Sequence, residues 1–388
     1  MRLAHCAAAA VALALALPAP AAALDDGLAP TPPMGWNPWN RFGCEADQRL
    51  VREVADAIVA TGMRDAGYRQ VNLDDCWMAR ARGPAGELRA DPERFAAGIP
   101  ELAAYLHARG LRLGLYTSLG SETCEGRPAL AGHERADLRR MASWGMDYLK
   151  VDFCGANAGV RADPEPAYAR VSELLRETGR PIVLSMCSWG VGRPWSWGPA
   201  IGHLWRVTGD IADDWDSVMR VAARARSRWA AAGPGGWNDP DMLQVGNGGM
   251  TAREDRAHFS LWAVMAAPLL AGNDPRRMTA ATRRTLLNRE VLAVDQDPEG
   301  AQGRRVRARN GLEVWLKPLR GSGGAVLLLN RSPARATLRV DLRRLGFPAA
   351  TRYRVRNLWR HRTGRRGPIL RKSVPAHGAA LYRVRPLP

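Results

Sequence analysis

The sequence predicts an α/β fold, a (β/α)8 TIM barrel followed by a C-terminal antiparallel β-domain. From Met34 to about Asp297, short apolar runs alternate with segments of helical spacing, and the runs begin at intervals of roughly 20 to 45 residues, as in successive β-α units. Eight such units close a barrel. A doubly wound sheet is the structural alternative, but no glycine-rich dinucleotide motif follows the first strand.

The eight strand-like runs are short, and several end in a polar or ionisable residue. They are Met34–Trp36, Gln70–Leu73, Leu111–Tyr116, Tyr148–Val151, Ile182–Met186, Leu204–Val207, Gly236–Asn238 and Pro268–Ala271. Helical spacing occurs between them, as at Leu50–Ala60, Ile99–Arg109, Glu134–Trp144 and Pro166–Thr178. We expect the chemistry of such a barrel at the carboxyl ends of its strands.

The composition changes after Gly300. Apolar and polar residues then alternate with a period of two, as in a half-buried strand. Clear examples are Leu312–Leu316, Ala325–Leu329, Ala336–Leu342 and Tyr353–Val355. The pattern predicts a catalytic barrel over residues 24–298 and an antiparallel β-sandwich domain over residues 302–388.

The amino terminus predicts export. Arg2 precedes an apolar stretch from about Leu3 to Leu17, and the small residues 21–23 follow two prolines. This is the pattern of a secretory signal peptide over residues 1–23, and the stretch is too short and too rich in alanine for a membrane anchor. We therefore expect a secreted or periplasmic protein without a membrane anchor. Its expected oligomeric state is a monomer or a homodimer.

The chain is strongly basic, with 56 Lys and Arg against 38 Asp and Glu and a formal net charge of +18. Only Lys150, Lys317 and Lys372 are lysines, so the cations are nearly all arginine. This bias is typical of a genome-wide composition effect, and a solvated basic surface is the favoured interpretation. Anionic polysaccharide, a membrane surface and nucleic acid are the alternative partners, but the predicted export and the lack of a basic-aromatic motif argue against nucleic acid.

Charged groups follow several predicted strands. They are Asp74-Asp75, Lys150-Val151-Asp152, Arg206 to Asp210, and Asp239-Pro240-Asp241. A single carboxylate at a strand end is often a helix cap. Several acidic clusters at one face of a barrel indicate a site instead, because adjacent carboxylates repel unless substrate hydroxyls or a cation compensate them.

Two kinds of chemistry fit these clusters. In the first, two carboxylates flank a glycosidic bond, one as nucleophile and one as acid/base. In the second, the carboxylates bind Mg²⁺ or Ca²⁺, since the strand ends carry no histidine cluster for a transition metal. The 14 tryptophans favour a sugar, whose apolar face stacks on indole rings, and Trp36, followed by Trp189 and Trp237, is the best candidate.

Five segments of the chain carry a more specific pattern. They are TPPMGWNPWN from Thr31, NLDDCW from Asn72, YLKVDFC from Tyr148, WRVTGDI from Trp205 and GGWNDPDML from Gly235. Together they resemble the α-galactosidase (melibiase) family, glycoside hydrolase family 27 of clan D. The resemblance implies a retaining enzyme that needs no cofactor, and we expect no metal. Such an enzyme removes terminal α-linked galactose from carbohydrate substrates by double displacement.

The resemblance also implies residue roles, with Asp152 as the nucleophile and Asp210 as the acid/base. The residues that contact the sugar would be Trp36, Asp74, Asp75, Tyr116, Lys150, Ser188 and Arg206. Lys150 precedes Asp152 by two positions, so both side chains point to one face of a strand. We expect the Lys150 ammonium to keep Asp152 ionised, whereas Asp210 needs a raised pKa.

Five cysteines follow the predicted signal peptide, and an odd number in an exported chain indicates two disulfides and one free thiol. The resemblance pairs Cys44 with Cys76 and Cys124 with Cys154. It leaves Cys187 as a free, buried thiol.

Ser188 bears on which sugar the site recognises, and it does not match the expected galactose. The α-galactosidases that the chain resembles usually carry glutamate at this position, in contact with the 2-hydroxyl, and the N-acetylgalactosaminidases of the family carry serine. Galactose remains the expected sugar, and N-acetylgalactosamine or β-L-arabinopyranose is the alternative on the same scaffold. A non-catalytic sugar- or polyanion-binding protein would require the loss of Asp152 or Asp210, and both are present.

Overall fold

A computed structural model describes residues 23–321 and 323–387, and its first part is a ring of eight parallel strands. They are β1 (Met34–Trp36), β2 (Gln70–Asn72), β3 (Arg112–Ser118), β4 (Tyr148–Asp152), β5 (Val183–Met186), β6 (Leu204–Arg206), β7 (Trp237–Asp239) and β8 (Leu269–Ala271). Their order is β7-β6-β5-β4-β3-β2-β1-β8, and a parallel bridge between Leu243 and Ala271 joins the segment after β7 to β8. The barrel prediction is confirmed, with every predicted strand found to within two residues.

The α-helices of this part lie between successive strands. They are α1 (Trp39–Phe42), α2 (Gln48–Ala60), α3 (Met63–Ala66), α4 (Ile99–His107), α5 (Glu134–Ser143), α6 (Ala158–Ala162), α7 (Glu165–Glu177), α8 (Trp215–Ala225), α9 (Ala252–Met265), α10 (Ala280–Leu286) and α11 (Arg289–Asp295). Helix α2 buries Leu50, Val54 and Ile58 at helical spacing, and Asp47 caps it by accepting a hydrogen bond from the Leu50 amide. Such apolar stripes explain why sequence periodicity located α2, α4, α5 and α7.

The C-terminal part is antiparallel. Its strands are β9 (Arg304–Arg309), β10 (Leu312–Pro318), β11 (Gly324–Asn330), β12 (Ala336–Asp341), β13 (Tyr353–Asn357), β14 (Arg362–Arg366), β15 (Ile369–Val374) and β16 (Gly378–Pro386). Six of them form a sheet in the order β14-β13-β16-β11-β10-β9, and β12 pairs with β15. The predicted runs match β10 to β13, and β9, β14, β15 and β16 were not predicted. Strands β9 and β14 are mostly exposed and rich in arginine, so they show no apolar period.

Strand β11 joins the two parts of the fold, since all seven of its residues are buried. Ala325, Leu327 and Leu329 pack into the same apolar core as the barrel. Val326 and Leu328, on the other face, pack into the core between the β-domain sheets. Alternation with a period of two thus gives one strand two apolar faces, and the β-domain is held against the barrel by burial.

The signal peptide predicted over residues 1–23 lies, except for its last residue, outside the described residues. None of the helices within residues 23–321 and 323–387 has the length and the apolar character of a membrane span.

Candidate active site

The carboxyl ends of the barrel strands surround a narrow cavity. Its lining residues are Trp39, Asn40, Asp74, Asp75, Tyr116, Cys124, Lys150, Asp152, Trp189, Arg206, Asp210, Asp241 and Met242. Seven of the nine predicted site residues are therefore brought together, although they are spread over more than 130 positions of the chain. The parallel barrel does this, because every strand delivers its following residue to the same rim.

Lys150, which is partly buried, and the buried Asp74 form an ion pair at this rim. The Lys150 Nζ lies 2.8 Å from Asp74 Oδ2, and Asn37 Nδ2 donates to the same oxygen at 2.6 Å. Lys150 and Asp152 both belong to β4, as predicted. The direct partner of the Lys150 ammonium is nevertheless Asp74.

Asp152 is buried at the end of β4. Its carboxylate accepts hydrogen bonds from the Tyr116 hydroxyl at 3.2 Å and from the Phe153 amide at 2.8 Å. Burial raises the pKa of Asp152 above its ordinary value, and the charge of Lys150 offsets only part of that effect. Lys150 therefore favours the ionised form of Asp152, as expected, but removal from water has the larger effect on its pKa.

Arg206 is buried at the end of β6 and has two carboxylate partners. Its Nη2 lies 2.7 Å from Asp210 Oδ1 and 2.9 Å from Asp241 Oδ2. The Asp210 side chain is 75% exposed, at the mouth of the cavity. Partial burial raises the pKa of Asp210, but the charge and the hydrogen bond of Arg206 outweigh it, so the pKa lies below the ordinary value. This corrects the expectation of a raised pKa for Asp210.

Asp241 is a cavity residue to which the sequence analysis gave no role. Its backbone is left-handed, with φ of 81°, and its two carboxylate oxygens accept the amides of Ile211 and Met242 at 2.8 Å each. Asp239 supports the turn by accepting the Asp241 amide at 2.7 Å. The acidic pair after β7 was the available signal, but sequence could not tell which carboxylate faces the cavity.

Asp74 and Asp75 follow β2 and face the cavity from the next position around the ring. Asp75 accepts hydrogen bonds from the amides of Cys76 at 2.7 Å and Glu125 at 3.0 Å. Burial raises the pKa of Asp75. The cavity therefore holds a dense set of acceptor oxygens suited to hydroxyl groups.

Two predicted contact residues do not line the cavity. Trp36 has no exposed surface, and its indole N–H donates to the Asn273 carbonyl at 2.7 Å. Ser188 also has no exposed surface, and its hydroxyl donates to the Val191 carbonyl at 3.0 Å. Burial and an internal partner occupy the polar groups of both residues in the free protein, and their contacts with a sugar stay predictions.

Trp39 and Trp189 are the tryptophans that line the cavity. Trp189 was a weaker candidate in the sequence, and Trp39 was not singled out although it lies in the first resembling segment. Trp237 is buried, with its indole N–H bonded to the Ala29 carbonyl at 2.9 Å. Strand alternation alone could not reveal this, since Trp39 and Trp189 lie on loops or short helices.

Both predicted disulfides are present, Cys44–Cys76 and Cys124–Cys154, and Cys187 is a buried free thiol. The second disulfide joins the loops after β3 and β4, and Cys124 lines the cavity beside Asp152. Each disulfide therefore braces a segment that carries carboxylates of the site.

Comparison with known proteins identifies the family to which the chain is similar. Residues 31–297 match the family model for alpha galactosidase A, and residues 309–384 match the alpha galactosidase C-terminal beta sandwich domain. The alpha-galactosidase of Cyamopsis tetragonoloba is 47% identical over 340 residues, which are 87% of this chain and 82% of that protein. The alpha-N-acetylgalactosaminidase of Gallus gallus is 40% identical over 362 residues, 87% of this chain and 88% of that protein.

The fold of a solved structure agrees with this match. Alpha-galactosidase I from Mortierella vinacea superposes with a TM-score of 0.90 and 35% sequence identity, covering 93% of this chain and 98% of that one. These relatives support α-galactosidase activity and a carbohydrate substrate. From its strand-end carboxylates to its β-sandwich, the chain belongs to the α-galactosidase family, glycoside hydrolase family 27.

Proposed function

We propose that this protein is an exported, retaining α-galactosidase that removes terminal α-linked galactose from galactosides. The observation that carries the proposal is the pair of carboxylates in one cavity, Asp152 buried and Asp210 exposed at the mouth. A retaining glycosidase needs one carboxylate against the anomeric carbon and another where the leaving group departs.

Asp152 is the proposed nucleophile. Tyr116 and the Phe153 amide hold its carboxylate at the end of a barrel strand, which fixes its direction before substrate enters. Attack on the anomeric carbon forms a galactosyl ester with Asp152 and breaks the bond to the leaving oxygen, which takes a proton from Asp210. Water then attacks the ester, and ionised Asp210 accepts the proton of that water.

The protonation states set a condition on this mechanism. The reactive form has Asp152 ionised and Asp210 protonated, whereas the structure raises the pKa of Asp152 and lowers that of Asp210. We infer that the reactive form is a minor species of the free enzyme. Separation of Asp210 from Arg206 when a sugar enters would favour that form, since Asp241 still neutralises the buried guanidinium.

The sugar hydroxyls are the proposed ligands of Asp74, Asp75, Lys150 and Arg206. Charged hydrogen-bond partners of this kind are the stronger ones, and they discriminate between epimers by direction. Trp39 and Trp189 offer aromatic faces to the apolar side of the ring. The cavity is narrow, which suits a single terminal sugar and not an internal chain segment.

N-Acetylgalactosamine is the second candidate sugar, and one observation favours it. The position expected to contact the 2-substituent carries the small Ser188, and Val191 in the same turn is 40% exposed. Against this, Ser188 is buried and turned to the Val191 carbonyl. Galactose therefore stays the preferred assignment.

Export is supported by the signal-like amino terminus and by the two disulfides, which persist in oxidising compartments. Amino-terminal sequencing of the exported protein should begin directly after the predicted cleavage site near Ala23. Recovery of the protein only inside the cell with an intact amino terminus would contradict export.

The activity is tested by hydrolysis of p-nitrophenyl α-galactoside, with proton NMR to record the anomer released first. We expect α-galactose first, no turnover with Asp152→Asn, and full turnover with the control Asp65→Asn, whose carboxylate is exposed on α3. Release of β-galactose first would refute retention. Faster hydrolysis of the matching N-acetylgalactosaminide or β-L-arabinopyranoside would replace the sugar assignment.

A further inference from the structure

The net positive charge of the chain lies in its C-terminal part. Residues 302–388 hold 22 of the 56 Lys and Arg residues but only 2 of the 38 Asp and Glu residues, Glu313 and Asp341. Their formal net charge is therefore +20, and that of residues 1–301 is −2. A genome-wide arginine bias explains the choice of arginine over lysine, but it does not explain why acidic residues are so few in one domain.

Two adjoining clefts bring together cations of both parts where the β-domain meets the barrel, and five of the eight belong to barrel helices. The first has a volume of about 600 Å³ and is lined by Arg256, Arg283, Arg284 and Arg289. These arginines come from helices α9, α10 and α11 or their termini. The β-domain closes the other side with Trp359.

The second cleft has a volume of about 590 Å³ and continues the first, since Arg256 and Trp359 line both. Its other cations are Arg253 from α9 and Arg335, Arg360 and Lys372 from the β-domain. The barrel and the β-domain thus contribute to one continuous basic groove.

The cations of the groove are not paired with protein carboxylates within residues 23–321 and 323–387. None of the eight forms an ion pair in the described part of the chain, where Glu290, the carboxylate of the first cleft, is already bonded to Arg356 and His361. Partial burial and the neighbouring Arg360 and Arg335 lower the pKa of Lys372. Like charges held together without partners are destabilising, so this arrangement fits an anionic ligand.

Trp359 gives the groove an apolar surface between its charges. The ring is half-buried, its indole N–H is anchored on Ser260 Oγ at 2.9 Å, and the Arg256 guanidinium lies 5.6 Å from the ring centroid. An anchored indole beside unpaired guanidinium groups matches a polymer of sugar rings that carry acidic groups, since rings stack on indole and arginine binds carboxylate or sulfate through two hydrogen bonds.

We propose that this groove is a second binding site, for an acidic polysaccharide bearing carboxylate or sulfate groups. The choice of a polysaccharide over nucleic acid rests on the proposed function, because an exported glycosidase meets such polymers together with the galactosyl groups it removes. The groove also offers a single tryptophan and not the row of aromatic platforms that single-stranded nucleic acid uses. Binding there would hold the enzyme on its polymeric substrate.

The test is affinity electrophoresis of the full-length protein in gels containing polygalacturonate, ι-carrageenan, neutral galactomannan or a DNA duplex, at several salt concentrations. The groove variant combines Arg284→Gln, Arg335→Gln and Arg360→Gln, whose side chains form no hydrogen bonds in the described structure. The control variant combines Arg139→Gln, Arg170→Gln and Arg176→Gln on α5 and α7, which follow β3 and β4 and so lie across the barrel from α9 and α10. Both variants lose the same charge.

We expect the native protein to bind an acidic polysaccharide in a salt-dependent manner, and the groove variant to bind it about tenfold more weakly, while the control stays within about twofold. Polygalacturonate and ι-carrageenan distinguish carboxylate from sulfate as the recognised group. Equal losses in the two variants, no retardation at low salt, or tighter binding of DNA than of both acidic polymers would each overturn the proposal.

Hydrolysis of p-nitrophenyl α-galactoside is measured on the same samples. Unchanged hydrolysis by the groove variant separates the groove from the cavity. If the native protein binds the polymer but does not hydrolyse the galactoside, the proposed α-galactosidase function is refuted and the proposed binding site in the groove is supported. If it hydrolyses the galactoside but is not retarded by the acidic polymers, the proposed binding site is refuted and the proposed function is supported.

Discussion

The guanidinium of Arg206 donates a 2.7 Å hydrogen bond to Asp210, the proposed acid/base. This contact lowers the pKa of Asp210, while burial raises the pKa of the proposed nucleophile, Asp152. The nucleophile, which must be ionised, thus has the higher pKa. The acid/base, which must be protonated, has the lower one. A bell-shaped pH profile does not reveal which group titrates on which limb, so the assignment needs a variant.

The first prediction concerns which carboxylate produces the acid limb of the pH profile of kcat/KM. In the native enzyme the acid limb of kcat/KM should report Asp210, because its pKa is the lower one. Asp210→Asn acting on an activated aryl α-galactoside needs only ionised Asp152, so its rate should rise with pH through the higher pKa of Asp152. We therefore expect the acid limb to move to higher pH in Asp210→Asn. An acid limb that stays in place would assign it to Asp152 and contradict this order.

The second prediction compares two neighbouring residues. Ser188 is buried with its hydroxyl on the Val191 carbonyl, whereas Trp189 lines the cavity. Ser188→Ala should cost about 1 kcal/mol of unfolding free energy and leave the ratio of kcat/KM for α-galactoside and α-N-acetylgalactosaminide within about twofold. Trp189→Ala should lower kcat/KM for the galactoside by more than about tenfold. A changed ratio of the two kcat/KM values in Ser188→Ala would show that Ser188 belongs to the sugar-binding surface.

The third prediction concerns Cys124–Cys154. This disulfide closes a loop with a sequence separation of 30, and Cys44–Cys76 closes one of 32. Replacing both cysteines of either pair by serine should cost about 3–4 kcal/mol, measured by denaturant unfolding, because the loops are nearly equal. The Cys124–Cys154 variant should lose more kcat, since the Tyr116 hydroxyl lies 3.2 Å from both Cys124 Sγ and Asp152 Oδ2 and depends on this segment for its position. Equal kcat in folded samples of the two variants would contradict this link.

The fourth prediction concerns the free thiol. Cys187 is buried, and burial raises the pKa of its thiol well above the ordinary value although Arg206 lies nearby. The native protein should therefore resist alkylation near neutral pH, and the denatured, unreduced protein should take up one label, at Cys187. Labelling of several cysteines in denatured, exported protein would show that a disulfide is missing.

The fifth prediction is a pH dependence of stability. His258 is fully buried, its Nε2 accepts the Gln244 amide at 3.1 Å, and burial lowers its pKa to about 3. The unfolded chain binds this proton near pH 6.5, so His258 stabilises the fold fully above that pH and loses its contribution as pH falls towards 3. Between pH 4 and 6 the unfolding free energy should fall about 1.4 kcal/mol per pH unit more steeply than in His258→Gln. Parallel slopes would refute the assignment.

The sequence by itself determined the architecture and most of the site. Short apolar runs at β-α intervals located the eight barrel strands, because a buried parallel strand is apolar along its length. The charged groups after those runs identified the cavity, because parallel strands deliver their following residues to one rim. Alternation found β10 to β13 but missed β15 and β16, and it could not reveal the exposed strands β9 and β14, where no face is buried.

Tertiary structure alone decided which side chains face the cavity and how they titrate. Trp36 and Trp39 lie three positions apart, and only packing against the neighbouring segments buries the first and exposes the second to the cavity. The pKa order of Asp152 and Asp210 depends on burial and on the position of Arg206, which are set by distances across the barrel. The basic groove likewise exists only where helices of the barrel meet the β-domain, because its arginines come from segments distant in the chain. Sequence specifies local periodicity, whereas burial and electrostatics are properties of neighbours in space.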